Sequence, residues 1–371
     1  MTVEKPAFSQ AMDYDFVNIN GERFVCINDL EAIPTFFVSM VSAQDHWFFA
    51  ATNGSLSAGR GSPEHALFPY YTVDKIIDNS NCTGPQTIIK RANGIWEPFK
   101  ATSLRLYNIS RKIYKSINGD TLIFEETHND WDLKFSYTWS SSELYGFIRK
   151  SSLTNLSGEA QDLTVIDGLA DILASGVDDK THGSYSCLTD AYKVSELDTS
   201  KELLVHRMVA SMVDEAIPLE CLKATVVWST GWESASILIR NSDIEEFLKD
   251  PNMECPKFVR GLRGLYCKAG NLHLGSESSQ SWSIVADIDK TQAEVSQLNI
   301  ALNNKESLWE AVQKDIQKGR NDLDQLIIAS DGLQVCSEEI VATYHRANVL
   351  FNIMRGGVFS ENYNLKKSLL K

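Results

Sequence analysis

Along the first 290 residues or so, apolar positions fall in short runs rich in β-branched and aromatic side chains, bounded by Gly, Asn, Asp or Ser. That punctuation predicts strands rather than helices. The first runs lie at 36–40, 47–51, 87–90, 102–109 and 121–126. Two segments also show strict period-two alternation, the mark of a half-buried strand. In one, Leu104 and Leu106 alternate with Arg105 and Tyr107; in the other, Leu133, Phe135, Tyr137 and Trp139 alternate with polar residues. Between neighbouring runs, Asn118-Gly119-Asp120 predicts a hairpin, because Asn and Gly tolerate the positive φ that a tight turn needs. Further strands are expected at 147–153, 162–168, 203–212, 223–230 and 281–287. A dozen or more strands separated by turns predict a large antiparallel sandwich.

The period changes near residue 290. From 291 to 320, Val295, Leu298, Leu302, Trp309, Val312 and Ile316 step by threes and fours, one face of a helix that Asn303-Asn304 should break or bend. A second helix is expected over 337–355, capped by Ser337, striped by Ile340, Tyr344, Ala347, Phe351 and Met354, and ended by Gly356-Gly357. These stripes are expected to pack on the sheet or on a following helical domain. The segment 39–79 reads mostly as a long loop, since its centre, Asn53 to Pro63, carries three Gly and a Pro among small residues. A loop of that length in a compact domain is usually functional or disordered. Its flanking aromatics, Trp47, Phe48, Phe49, Phe68, Tyr70 and Tyr71, argue that it is ordered.

Composition narrows the function classes. The 371 residues are 43% hydrophobic and 23% charged, so a sizeable core is expected. The 49 acidic residues outnumber 35 basic ones for a net charge of −14, which disfavours nucleic acid and anionic membranes as partners. The amino terminus lacks an apolar signal core, no 18-residue apolar stretch occurs, and seven scattered cysteines form no CxxC. Together these predict a cytoplasmic protein without a membrane span, disulfide framework or zinc site, in which the four Asn-x-Ser/Thr sequons stay idle.

Catalytic motifs are sparse. Gly59-Arg60-Gly61 lacks the rest of a phosphate-binding loop, GxSxG and HExxH are missing, and neither a metal nor a cofactor is expected. The densest acid cluster is Glu125-Glu126-Thr127-His128-Asn129-Asp130-Trp131-Asp132, read most simply as a solvated strand end. The candidate substrate-binding residues are Asp45, His46, Trp47, Asn53 and Arg60. There the indole could stack on a sugar ring while the acid, imidazole, amide and guanidinium bond its hydroxyls.

Three stretches resemble the amino-terminal part of cellobiose-phosphorylase-like proteins, the inverting disaccharide phosphorylases and their glycoside hydrolase relatives. They are FFVSMVSAQDHWFFAATNGSLSAGRGSPEHALFPYYTVDKI at 36–76, YTWSSSELYGFIRKSSLTNLSGEAQDLTVIDGLADIL at 137–173 and HRANVLFNIMRGGVF at 345–359. The resemblance implies a mostly β, mutarotase-like supersandwich over 1–288, a helical linker over 289–357 and a lead-in at 358–371 to an (α/α)6 barrel. In that family the barrel supplies the general acid, so no catalytic residue is assigned here. The resemblance makes the chain a non-catalytic carbohydrate-associated module, forming one wall of a sugar site against the barrel or a homodimer contact. Two rivals remain. One is a mutarotase or epimerase using His128, His182 or His206 with a nearby Glu; the other is an assembly domain.

Overall fold

The computed structural model describes residues 13–177, 179–210, 221–330 and 332–356. It is mostly β, and every pairing between its named strands is antiparallel. One layer is an eleven-stranded sheet. Its order is β1 (Tyr14–Ile19), β2 (Glu22–Ile27), β9 (Ile109–Ser116), β10 (Leu122–His128), β11 (Leu133–Ser142), β12 (Gly146–Asn155), β20 (Ser279–Thr291), β16 (Lys223–Thr230), β15 (Leu203–Met208), β14 (Lys193–Asp198) and β18 (Phe258–Arg260). Two smaller sheets face it. One runs β17 (Ser236–Leu238), β19 (Gly264–Leu274), β13 (Gln161–Ile172), β7 (Gly84–Arg91) and β8 (Gly94–Trp96). The other runs β3 (Phe37–Met40), β4 (His46–Ala51), β5 (Leu56–Arg60) and β6 (Ala66–Phe68).

The main core fills the space between the large sheet and both small ones. Phe124, Phe135, Tyr137, Trp139 and Trp282 come from the large sheet, Phe48 and Leu56 from the four-stranded one, and Val165 and Tyr266 from the five-stranded one. A polar bridge crosses this core. Arg149 on β12 donates to Asp167 on β13 at 2.8 Å, both fully buried. Asp167 also accepts from Ser151 Oγ, Thr87 Oγ1 and Trp282 Nε1 at 2.8, 2.6 and 2.7 Å. Its lone pairs are therefore filled, the condition under which a buried charge pair is tolerated.

The helices follow the strands. Thr291 and Glu294 form a reciprocal capping box that starts α5 (Gln292–Ala301). A single 3-10 turn at Leu302–Asn304 then breaks the run, and Asn304 Oδ1 accepts from Ser307 N to start α6 (Lys305–Ala329). The Asn303-Asn304 break is thus where the sequence places it. Leu302, Leu308 and Val312 pack on the outer face of the large sheet against Ile148, Val226, Trp228 and Val285. Strands β12, β16 and β20 are consequently covered on both faces at their centre. The last helix, α7 (Glu339–Gly356), returns to the opposite edge, held by Arg23–Glu339 at 2.7 Å and by Arg346 donating to Asn118 Oδ1 at 2.7 Å. The expected cap at Gly357, the segment 358–371 and positions 211–212 of the expected strand lie outside the described residues, as does the side chain of Met354.

Two local expectations are corrected. The alternating segment 102–109 is not a strand up to Tyr107: Ala101–Leu106 forms the short helix α2, and only Ile109 onward is β. Leu106, expected inward, is 71% exposed, while Ser103 is buried with its Oγ accepting from Glu97 N. Four alternating residues fit either period, so neighbouring contacts decide. Segment 39–79 is not mostly loop; it is the four-stranded sheet followed by α1 (Val73–Asp78). Its small residues reflect close packing: Ser57 and Ala58 are fully buried. At Gly59 an added Cβ would lie 2.4 Å from both Trp47 Cζ2 and the His65 carbonyl oxygen.

Candidate functional site: an aromatic row beside an ionic clamp

Strand β4 alternates in both register and chemistry. His46, Phe48 and Ala50 turn into the core, while Trp47 and Phe49 turn outward and remain partly exposed. Outward neighbours extend them into a row. Phe37, 38% exposed on β3, has its ring centre 5.5 Å from that of Phe49. Phe49 lies 5.9 Å from Trp47 with ring planes 30° apart, and Tyr70, 41% exposed, meets Trp47 edge-on at 5.5 Å. Gly59 makes this possible, because it pairs with Trp47 in the β4–β5 register and has no side chain to lift the indole. The indole Nε1 donates to Ser62 O at 3.3 Å, which fixes the ring's orientation.

At one end of the hairpin, His46 pairs with Arg60. The Arg60 guanidinium reaches three partners at once. Its Nε donates to Asp45 at 3.0 Å, its Nη1 to both Asp287 oxygens at 3.2 and 3.1 Å, and its Nη2 to Glu143 O at 2.9 Å. Lys290 adds a second cation to Asp287 at 2.5 Å. Burial raises the Asp287 pKa from its ordinary value against the pull of Lys290 and Arg60. Burial also works to raise Asp45, but the Arg60 hydrogen bond and charge win and hold it below the usual carboxylate range. Arg60 therefore clamps the four-stranded sheet onto the large one. His46 is buried, edge-on to Phe147 at 5.0 Å, and shares a 3.2 Å hydrogen bond between Nδ1 and Ser42 Oγ. Burial, then the nearby Arg60 charge, lowers its pKa to about 4, so the ring is neutral near pH 7.

The sequence-predicted set is thus divided. Asp45, His46 and Arg60 come together, and Trp47 adjoins them on the opposite face of the strand. Asn53 does not join them. It sits at the far turn of the hairpin, where Oδ1 accepts from Ser55 and Nδ2 donates to Ile77 O on α1. Phe37, Phe49 and Tyr70 are the site residues that sequence reasoning did not single out; the alternation in His46-Trp47-Phe48-Phe49 is the signal that finds Phe49. Asp287 and Lys290 lie more than 220 positions from Arg60, and nothing in the sequence links them.

The acid cluster at 125–132 is also corrected. Only its first half is strand, and Glu126 and His128 are fully buried. Glu126 accepts from Trp96 Nε1, Phe99 N and Arg111 Nε at 2.6, 2.7 and 2.6 Å. His128 stacks on Trp131 at 4.3 Å. Asp130 and Asp132 follow in the turn. The mutarotase reading offered His128, His182 or His206 as alternatives, and these lie on different elements. His128 is on β10 and His206 on β15, with four strands between them in the sheet. His206 is fully buried against Ser195 Oγ at 2.9 Å, and burial lowers its pKa to about 3. His182 sits on α3 (Asp179–Ala191).

Among the described residues no group of three or more His, Cys, Asp or Glu side chains is placed to hold a metal ion. Among them, too, no helix is long and apolar enough to cross a membrane.

The chain matches no protein-family model and no curated relative. Solved structures do resemble it. A bacterial glucoamylase complexed with acarbose is 12% identical, with a TM-score of 0.45, over 87% of this chain and 40% of that one. A chain described as a kojibiose phosphorylase from the human microbiome is 10% identical, with a TM-score of 0.42, over 89% of this chain and 35% of that one. Heparinase III is 8% identical, with a TM-score of 0.33, over 70% of this chain and 36% of that one. The chain spans two-fifths or less of each of these structures.

Proposed function

We propose that this chain is a carbohydrate-binding β-sandwich module that does not itself cleave glycosidic bonds. It forms one wall of a sugar site, and a separate helical unit contributes the proton donor. The division of labour follows 1–288 as sandwich, 289–357 as linker and 358–371 as lead-in to that unit. The observation that carries the reading is the row Phe37, Phe49, Trp47 and Tyr70 on the outer face of the four-stranded sheet. A pyranose ring presents C–H groups on one face, and a partly exposed aromatic ring covers that face while leaving the hydroxyls free at its edge. Asp45, half exposed beside the row, is placed to accept from those hydroxyls.

A binding rather than a reactive role is supported by the fate of the charged groups nearby. Arg60 and Asp287 hold two sheets together, and His46 is buried and neutral. Calorimetric titration with cello- and malto-oligosaccharides tests the reading, with sugar release followed in the presence and absence of phosphate. We expect one of the two series to bind. Trp47→Ala, Phe49→Ala and Tyr70→Ala should each weaken it, Trp47→Ala by roughly ten-fold or more. Binding untouched by all three substitutions contradicts the proposal, as does turnover well above background.

A further inference from the structure

A cavity lies at the β1 edge of the large sheet, beneath α7. It measures about 680 Å³, and its walls are mostly apolar, with Val25, Ile113, Ala347 and Leu350 on opposite sides. One cation interrupts them. Lys115 on β9 pairs with Val25 across the sheet and shares its face of the strand with Ile113. Its Cε lies against Gly119, where a Cβ would come within 3.3 Å. Among the described residues no carboxylate lies within ion-pair distance of Lys115, and none makes a hydrogen bond with its ammonium. Burial alone, with no neighbouring charge to oppose it, pushes its pKa down to about 8, so the group still carries its proton at pH 7. Two of the lining hydroxyls are already used, Ser116 donating to Asp120 and Thr343 to the Glu339 carbonyl.

Lys115 is only partly buried, yet among the described residues the apolar lining gives its ammonium no counter-charge, which a ligand carboxylate would supply. We infer that this cavity binds an amphipathic monocarboxylate, with its carboxylate on Lys115 and its apolar body between α7 and the sheet edge. Several features select that class. The volume falls within the range of small-molecule sites. One ammonium matches the single charge of a carboxylate, whereas a phosphate would bring a second negative charge with no cation in the lining to meet it. The apolar walls favour a hydrocarbon body over a sugar. The inference is independent of the carbohydrate reading, because Lys115 is not part of the aromatic row.

Decanoate, decanol and decylamine are suitable probes, titrated calorimetrically into the intact chain and into Lys115→Met. Decanoate should bind one-to-one. Decanol should bind roughly ten-fold more weakly and decylamine should not bind, since a charge-assisted hydrogen bond is worth about that factor. Lys115→Met should lose the ten-fold advantage for decanoate, keep decanol binding and keep oligosaccharide binding. Ala347→Trp, which fills the cavity from the helix side, should abolish binding of both decanoate and decanol. The inference is overturned if decanoate does not bind, if it binds Lys115→Met as tightly as the parent chain, or if Ala347→Trp still takes it up.

Discussion

At Asp167 a single carboxylate joins two layers, because Arg149 and Ser151 from β12, Thr87 from β7 and Trp282 from β20 all converge on it. Replacing it by Asn keeps the shape but strands the Arg149 guanidinium in a fully buried position. Breaking one half of a buried pair typically costs about 3–5 kcal/mol. Asp167→Asn should therefore unfold at markedly lower denaturant concentration, which a urea transition monitored by tryptophan fluorescence will show. His46 makes a different residue-scale prediction. Its pKa is about 4 in the folded chain against 6.5 for an ordinary histidine. Between those values the unfolded chain binds a proton that the folded chain refuses, so this contribution is fully present above pH 6.5 and is lost as pH falls toward 4. Glu22 acts in the opposite sense: burial raises its pKa from 4.5 to about 7, so its contribution weakens as pH rises across that window. Comparing His46→Gln with the parent chain isolates the histidine. The variant's stability should fall less steeply from pH 6.5 to 4, by up to about 1.4 kcal/mol per pH unit.

At the scale of elements, the β4–β5 hairpin shows what a sequence can and cannot convey. Period-two alternation over 133–139 gave β11 (Leu133–Ser142), and the turn residues Asn118-Gly119-Asp120 gave the β9–β10 hairpin, where Gly119 has a φ of 79°. Helical spacing gave α5, α6 and their break at Asn304. The same rules missed β5 (Leu56–Arg60), because Ser57, Ala58 and Gly59 look like loop residues. Gly59 lacks a side chain where Trp47 and the chain around His65 lie directly across it, a contact between segments that no local pattern records. Gly59→Ala tests that account. The added methyl has nowhere to go without moving Trp47 or the backbone, so the substitution should destabilise by about 1–3 kcal/mol and weaken oligosaccharide binding as well. A thermal melt together with a titration reads both effects. Arg60, legible as a candidate ligand group, proved to be held by Asp287 on β20 and by Glu143 in the turn after β11, both distant in sequence. The chain order carried no hint of either.

At the scale of the whole molecule, two layers of antiparallel sheet leave one outer face covered by α5 and α6 and another open along the aromatic row. The chain's net charge of −14 should repel polyanions. Neutral oligosaccharides should consequently bind more tightly than sulfated ones of equal length, and the difference should shrink as salt rises. The central claim is that the row touches sugar. A crystal structure of the chain grown with whichever neutral oligosaccharide binds in solution would test it most directly. The account predicts pyranose rings lying over Trp47 and Phe49, with a hydroxyl reaching Asp45. Sugar density elsewhere on the molecule, with the aromatic row bare, would contradict it.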